Sequence, residues 1–91
     1  MTGLAIRVIV EGRVQAVWFR GWTVQEATAR GLAGWVRNLG NGSVEALFAG
    51  DEAAVRGMVD ACRQGPPAAR VVAVHEYPAT APEHTGFLTV R

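Results

Sequence analysis

The stretch from Gly12 to Arg20, which reads GRVQAVWFR, contains the residues best suited to chemistry in this sequence. It lies between an alternating strand pattern and a helical pattern, and such a junction leaves several backbone N–H groups without intrahelical partners. These groups and the helix dipole favour an anion at the helix N-terminus. Because Arg20 adds a fixed positive fork in the first predicted turn, the stretch predicts an anion-binding site.

Other reactive side chains do not form a recognisable constellation. Cys62 is the only cysteine, so no intramolecular disulfide or two-thiol metal clamp can form, and we interpret it as an inert core residue. His75 and His84 lie on different predicted elements with no third ligand evident, so we expect no metal site. All nine basic residues are arginine, which excludes a Schiff-base lysine.

Length and composition predict a single small domain over residues 1–91. A chain of 91 residues can bury one core without staples, and its net charge of +1 gives no broad electrostatic footprint for nucleic acid or anionic lipid. No apolar run approaches the roughly 20 residues that span a bilayer, and the start Met1-Thr2-Gly3-Leu4 lacks a leader pattern. We therefore expect a cytoplasmic monomer that binds neither nucleic acid nor membrane.

Hydrophobic periodicity predicts the elements that must position the anion site. In chain order these are a strand over 4–11 ended by Gly12, a helix from about Phe19 to Arg30, strands over 32–39 and 43–49, a second helix after Asp51, a strand over 69–77 and a short strand over 87–91. The glycines of the Gly40-Asn41-Gly42 turn accept positive φ, which favours a hairpin between the second and third strands.

The second helix has the clearest pattern. An apolar stripe at i, i+3, i+4 and i+7 follows the N-cap candidate Asp51 and ends before Gly65. Its members are Val55, Met58, Val59 and Cys62. In the first helix we expect Phe19, Trp22, Thr23, Ala27 and the stem of Arg30 to face inward.

The element order predicts a ferredoxin-like α/β sandwich of the α+β class. Strand, helix, strand, strand, helix, strand, with an added terminal strand, gives an antiparallel sheet with two helices on one face. The right-handed crossover through the first helix makes strands one and two parallel, so their carboxyl ends share one edge of the sheet. Asn38 and the loop after Glu11 are therefore expected to face each other across one mouth.

Three sequence blocks resemble the acylphosphatase family. They are GRVQAVWFR at 12–20, GWVRN at 34–38 and GNGSVE at 40–45, and they fall in the family's order. The second helix stripe and the Gly65-Pro66-Pro67 end also match, so the resemblance covers nearly the whole chain. It implies hydrolysis of the mixed anhydride between a carboxylate and phosphate, in the cytoplasm, without metal or cofactor.

The resemblance also implies a role for each site residue. Arg20 would bind the phosphoryl oxygens, and Asn38 would hold the attacking water. Backbone N–H groups would complete the phosphate-binding loop, contributed by Gln15, Ala16, Val17, Trp18, Phe19 and Arg20. A bidentate arginine and a ring of N–H donors suit a phosphoryl group, whose transfer depends on positioning and electrostatic stabilisation. Inorganic phosphate or sulfate is expected to occupy the same site.

This chain departs from the family pattern at three positions. Ala16 stands where the family usually has Gly, so a positive φ there would cost of order 1 kcal/mol or more, and the methyl would crowd a phosphate. Trp18 occupies a tolerant position and is expected to shield the loop or line its mouth. Leu39 replaces a common threonine, which removes a hydroxyl next to Asn38.

Two functions are consistent with the sequence. The first is a free-standing acylphosphatase. The second is a catalytically weak or silent module of the same fold that binds phosphate or an acyl phosphate as a regulator. Such domains also occur within larger hydrogenase maturation proteins, and from the length of 91 residues we expect this chain not to be one of them. Taken alone, Arg20 would be a solvated helix residue and Asn38 a turn residue, so both functions depend on the surrounding motifs.

Overall fold

The computed structural model describes residues 3–91, and its elements follow the predicted order. They are β1 (Gly3–Arg13), α1 (Phe19–Ala29), β2 (Ala33–Asn38), β3 (Val44–Asp51), α2 (Glu52–Cys62), β4 (Arg70–Pro78) and β5 (Phe87–Thr89). Met1 and Thr2 begin the segment in which we expect no leader, and they lie outside the described residues. Between residues 3 and 91, no helix is long and apolar enough to cross a membrane.

One five-stranded sheet has the strand order β4-β1-β3-β2-β5. Strand β3 pairs antiparallel with both β1 and β2, so β1 and β2 run in the same direction on either side of it. This arrangement confirms the predicted ferredoxin-like sandwich. The terminal strand differs from the expectation, because β5 pairs parallel with β2 and makes the sheet mixed rather than wholly antiparallel.

Both helices pack on one face of the sheet, where they enclose the core. The alternating residues Ile6, Val8 and Val10 of β1 are buried, and the predicted α2 stripe is buried with them. From α1 the buried residues are Phe19, Thr23 and Ala27. These side chains form one cluster with residues of β2, β3 and β5, so the start of α1 is attached to the core through Phe19.

The helix ends show smaller differences from the sequence expectations. Trp22 is only partly buried, and Arg30 lies just beyond α1, exposed, with Nη1 2.6 Å from Oε1 of Glu26. Nε of Arg30 lies 3.9 Å from the place of a Cβ added to Gly57, so the side chain reaches α2. Asp51 occupies the N-cap of α2 as predicted, but its side chain makes no capping hydrogen bond.

Gly12 does not end the first strand, which was predicted to stop there. The register between β1 and β4 shifts between Glu11 and Gly12, and pairing then continues to Arg13. At Gly12 the φ angle is 130°, and an added Cβ would lie 2.1 Å from the carbonyl oxygen of Arg70. Glycine thus permits a β-bulge after which β1 stays paired with β4 up to Arg13, just before the loop that leads to α1.

The outer face of the sheet carries a buried carboxylate beside the end of β2. Glu45 is 6% exposed, and its two oxygens accept hydrogen bonds from Arg7 Nη1 at 2.8 Å and Arg37 Nε at 2.6 Å. The Arg7 guanidinium also lies over the Tyr77 ring, 4.5 Å from its centroid. This charge network ties β1, β3 and β2 together one residue before Asn38.

Replacing the buried carboxylate by an amide should destabilise the protein. We expect Glu45→Gln to lower the free energy of unfolding by about 1–3 kcal/mol, because two arginines lose their charged acceptor. The matched control is Glu26→Gln, which breaks an exposed i,i+4 pair and should change stability by less than about 0.5 kcal/mol. Urea unfolding followed by tryptophan fluorescence measures both, and equal effects would contradict a special role for Glu45.

Candidate active site

The loop between β1 and α1 has an unusual backbone conformation. Ala16 has φ 61° and Trp18 has φ 64°, so two non-glycine residues adopt the left-handed region within three positions. Left-handed residues in such a loop turn successive N–H groups toward one concave side, which is the geometry of an anion-binding nest. Ala16 thus has the positive φ that is costly for a residue with a Cβ.

The N-terminus of α1 is left without the groups that ordinarily satisfy it. Trp18 occupies the N-cap, no side chain caps the helix, and the first turn has no acidic residue. Within residues 3–91, no backbone carbonyl accepts a hydrogen bond from the N–H groups of residues 15–21. Since such donors need partners, this loop and helix start are suited to an anionic ligand.

A cavity of about 300 Å³ opens over this loop. Its lining comes from the loop, the first turn of α1, the end of β2 and the end of β5, and consists of Val14, Ala16, Trp18, Phe19, Arg20, Gly21, Asn38 and Thr89. Arg20 and Asn38 thus line one cavity although they are far apart in sequence, because β1 and β2 end at the same sheet edge. The expected mouth is therefore present.

The cavity has a positive electrostatic character. Arg20 is exposed, and no carboxylate in the described part of the chain lies within salt-bridge distance of it. The lining contains no acidic residue. One free guanidinium and the positive end of the α1 dipole therefore act together at this place.

Asn38 contributes an unsatisfied acceptor. It is the last residue of β2, and its Oδ1 atom is buried without a hydrogen-bond partner, the single such side-chain atom among residues 3–91. Buried polar atoms are nearly always paired, so an orphaned carboxamide oxygen indicates a place for a donor such as water. The sequence predicted the position of this asparagine but not the isolation of its oxygen.

Gln15 connects the loop to the hairpin that follows Asn38. Its Nε2 donates to the carbonyl oxygen of Leu39 at 2.7 Å and to that of Ser43 at 2.9 Å. The turn itself is closed by the Leu39 amide, which donates to the Ser43 carbonyl at 2.9 Å. The side chain of Gln15 therefore holds the two halves of the site at a set separation, a contact that the sequence did not reveal.

The predicted loop residues do not all line the cavity. Ala16, Trp18, Phe19 and Arg20 do, whereas Gln15 makes the hairpin contacts and Val17 packs against the core. Thr89 was not predicted as part of the site. Its position follows from the parallel pairing of β5 with β2, in which Thr89 lies opposite Val36, and the sequence offered no signal for that pairing.

The remaining reactive side chains lie outside the cavity lining. Cys62 is fully buried in the core, and burial raises the pKa of its thiol to about 12, so the thiolate is not formed near neutral pH. His75 is exposed, with its Nε2 3.2 Å from a carboxylate oxygen of Glu11. No group of three metal-ligating side chains is present in the part of the chain that the structure describes.

Fold and site together define a small α+β protein with a cavity at the edge of its sheet, lined by Arg20, Asn38 and the uncapped start of α1. The family model for acylphosphatases matches residues 6–89. The chain therefore belongs to the acylphosphatase family, whose members are hydrolases acting on acyl phosphates.

Individual relatives agree with this assignment. The chain is 58% identical to an acylphosphatase of Rhodospirillum rubrum over 80 residues, which cover 88% of each sequence. The crystal structure of an acylphosphatase from Bacillus subtilis superposes with a TM-score of 0.91 at 40% identity, covering 97% of this chain and 99% of that one. An acylphosphatase from Coxiella burnetii gives a TM-score of 0.92 at 31% identity, covering 97% and 93%.

The left-handed conformation of Ala16 yields a stability prediction. We expect Ala16→Gly to raise the free energy of unfolding by about 1 kcal/mol, because glycine adopts this φ without the Cβ clash. The same substitution at Ala53, an exposed residue of α2, should lower it by about 0.5–1 kcal/mol. Urea unfolding of both variants measures this difference in sign, and two decreases of similar size would contradict strain at Ala16.

Proposed function

We propose that this chain hydrolyses acyl phosphates to a carboxylate and inorganic phosphate. In this proposal Arg20 and the backbone amides of residues 15–20 bind the phosphoryl group, and Asn38 holds the attacking water. One observation carries the assignment of these roles: Arg20, which has no salt-bridge partner among residues 3–91, and Asn38, whose Oδ1 has no hydrogen-bond partner, line a single cavity.

Charge neutralisation is the first task of the site. The transferring phosphoryl group spreads negative charge over three oxygens, and its stabilisation requires preorganised positive groups more than covalent chemistry. The unpaired amides at the start of α1 and the fork of Arg20 supply such groups. Because the left-handed loop already directs these amides to one side, little reorganisation is needed when the ligand binds.

Orientation of the nucleophile is the second task. Oδ1 of Asn38 accepts a hydrogen bond from water, which directs the water oxygen at phosphorus without removing its proton. A bond forms between the water oxygen and phosphorus, and the bond between phosphorus and the bridging oxygen breaks. The electron pair leaves with the carboxylate, and a phosphoryl oxygen takes the second water proton, so RCOOPO₃²⁻ and H₂O yield RCOO⁻ and H₂PO₄⁻.

The leaving group explains the simplicity of the lining. A carboxylate leaves readily, so protonation by a strong general acid is not required. The cavity lining accordingly offers an arginine, an asparagine and a threonine as its polar side chains. The product phosphate, or sulfate in its place, would bind to the same backbone amides.

A second function is favoured by one specific residue. Ala16 lines the cavity, so its methyl group lies where the family usually has only a hydrogen. Crowding of the phosphate by this methyl would yield a weak or silent module that binds phosphate or an acyl phosphate. Measuring both hydrolysis and phosphate binding distinguishes the two functions, because a silent module would bind phosphate without hydrolysing an acyl phosphate.

The assembly state completes the proposal. Arg20 and Asn38 belong to the same chain and line a common cavity, so we propose a monomer formed as one domain around its one described core cluster. A second copy would add nothing to the site. The cytoplasmic location stays a prediction from the sequence.

Substitution of the two proposed catalytic residues tests the mechanism. We expect Arg20→Gln and Asn38→Ala each to lower kcat/KM for benzoyl phosphate about 100-fold or more, without added metal. Arg20→Gln should also weaken competitive inhibition by inorganic phosphate, whereas Asn38→Ala should act chiefly on kcat, because of these two side chains only that of Arg20 is proposed to contact the phosphoryl oxygens. Loss of the anhydride measures turnover.

The control for this experiment is Arg56→Gln on the exposed side of α2, which should leave turnover unchanged. Far-ultraviolet circular dichroism shows whether each variant remains folded. If wild-type protein binds phosphate but hydrolyses nothing, the regulatory module is the correct function. If folded Arg20→Gln or Asn38→Ala protein retains full turnover, the assigned roles are wrong.

Gln15 is expected to act by positioning. Gln15→Leu removes two hydrogen bonds to the β2–β3 turn, each worth about 1 kcal/mol, so kcat/KM should fall about 3- to 10-fold as the loop and Asn38 lose their common support. Gln25→Leu on the exposed face of α1 is the matched control. Steady-state kinetics measures kcat/KM of both variants, and equal kcat/KM values would contradict the positioning role of Gln15.

A further inference from the structure

Trp18 is a large apolar side chain at the edge of the proposed phosphate site. This residue lines the same cavity as Arg20 and Asn38 and is 61% exposed. It does so from a left-handed conformation, which bulky residues rarely adopt. Neither core burial nor backbone preference therefore accounts for a tryptophan at this position.

The indole of Trp18 has a defined seat on α1. A Cβ added to Gly21 would lie 2.0 Å from Nε1, 2.6 Å from Cδ1 and 2.8 Å from Cε2 of this side chain. The five-membered ring thus lies directly on the backbone of Gly21, which itself lines the cavity. Only glycine at this helical position lets the indole come so close.

Other aromatic rings of the region are already paired with the core. Phe19 packs against Trp22 with ring centroids 5.3 Å apart, whereas no aromatic ring within residues 3–91 pairs with Trp18. The indole is held on one side by Gly21 and leaves much of its surface open. Such a ring is available to a flat or apolar group that enters the cavity.

We propose that the indole of Trp18, seated on Gly21, is the contact surface for the acyl group and gives this chain a preference for aromatic acyl phosphates. The inference rests on the proposed function, in which the phosphoryl end occupies the amides and Arg20. An acyl phosphate has an anionic end and an acyl end, so a substrate anchored by its phosphate must direct the acyl group toward the surrounding wall. Trp18 is the large aromatic surface there.

A double-mutant cycle with two substrates tests this role. The readout is the ratio of kcat/KM for benzoyl phosphate to that for acetyl phosphate, in which effects on the shared phosphate cradle cancel. Trp18→Ala should lower this ratio about 3- to 10-fold, the size of one aromatic contact. Gly21→Ala should lower it similarly by displacing the indole, but should have no further effect on the ratio in Trp18→Ala protein.

Trp35→Ala is the matched control, because this tryptophan lies on β2 beside Arg37 and outside the cavity lining. Its ratio should equal that of the wild type. An unchanged ratio in Trp18→Ala protein, with both substrates hydrolysed, would overturn the inference and leave the proposed function intact. If wild-type protein hydrolyses neither substrate, the proposed function fails and the inference fails with it.

Discussion

The unpaired backbone donors at the start of α1 are the constraint on which the site depends. A helix ordinarily begins with a side-chain acceptor at its N-cap, yet here the N-cap is Trp18, and no acidic residue follows in the first turn. Donors left in this state favour an anion, and the nearby guanidinium of Arg20 strengthens that preference. The rest of the fold holds this arrangement open.

Several interactions compensate for the strain of the loop. Two left-handed non-glycine residues cost roughly 1–2 kcal/mol each, which the loop could not sustain on its own. Phe19 anchors its end in the core, and Gln15 ties its start to the β2–β3 turn. The bulge at Gly12 lets β1 stay paired with β4 up to Arg13, just before the loop begins. Strain at the site is therefore balanced by packing and hydrogen bonds around it.

Topology turns a binding loop into a candidate hydrolytic site. Because β1 and β2 are parallel with β3 between them, the loop after β1 and the last residue of β2 open on one edge. Local periodicity and the rule for crossover connections were together sufficient to predict this, since strand alternation at Ile6, Val8 and Val10 and the α2 stripe are strong signals. Features that depend on one close approach were not predictable, such as the bulge at Gly12 and the burial of Glu45 between two arginines. Thr89 was missed for the same reason, because its place depends on a three-residue strand whose pairing no sequence pattern specifies.

Under the proposed function, the two unusual residues of the loop would affect different ends of an acyl phosphate. Both line the cavity, and the methyl group of Ala16 would act on the phosphate, whereas the indole of Trp18 would act on the acyl group. Neither replaces the guanidinium of Arg20 or the carboxamide of Asn38. Phosphate recognition and acyl recognition can therefore vary separately on one short loop. Since Gly21 contacts the indole from the first turn of α1, the helix whose dipole favours an anion would also set the position of the proposed acyl contact surface.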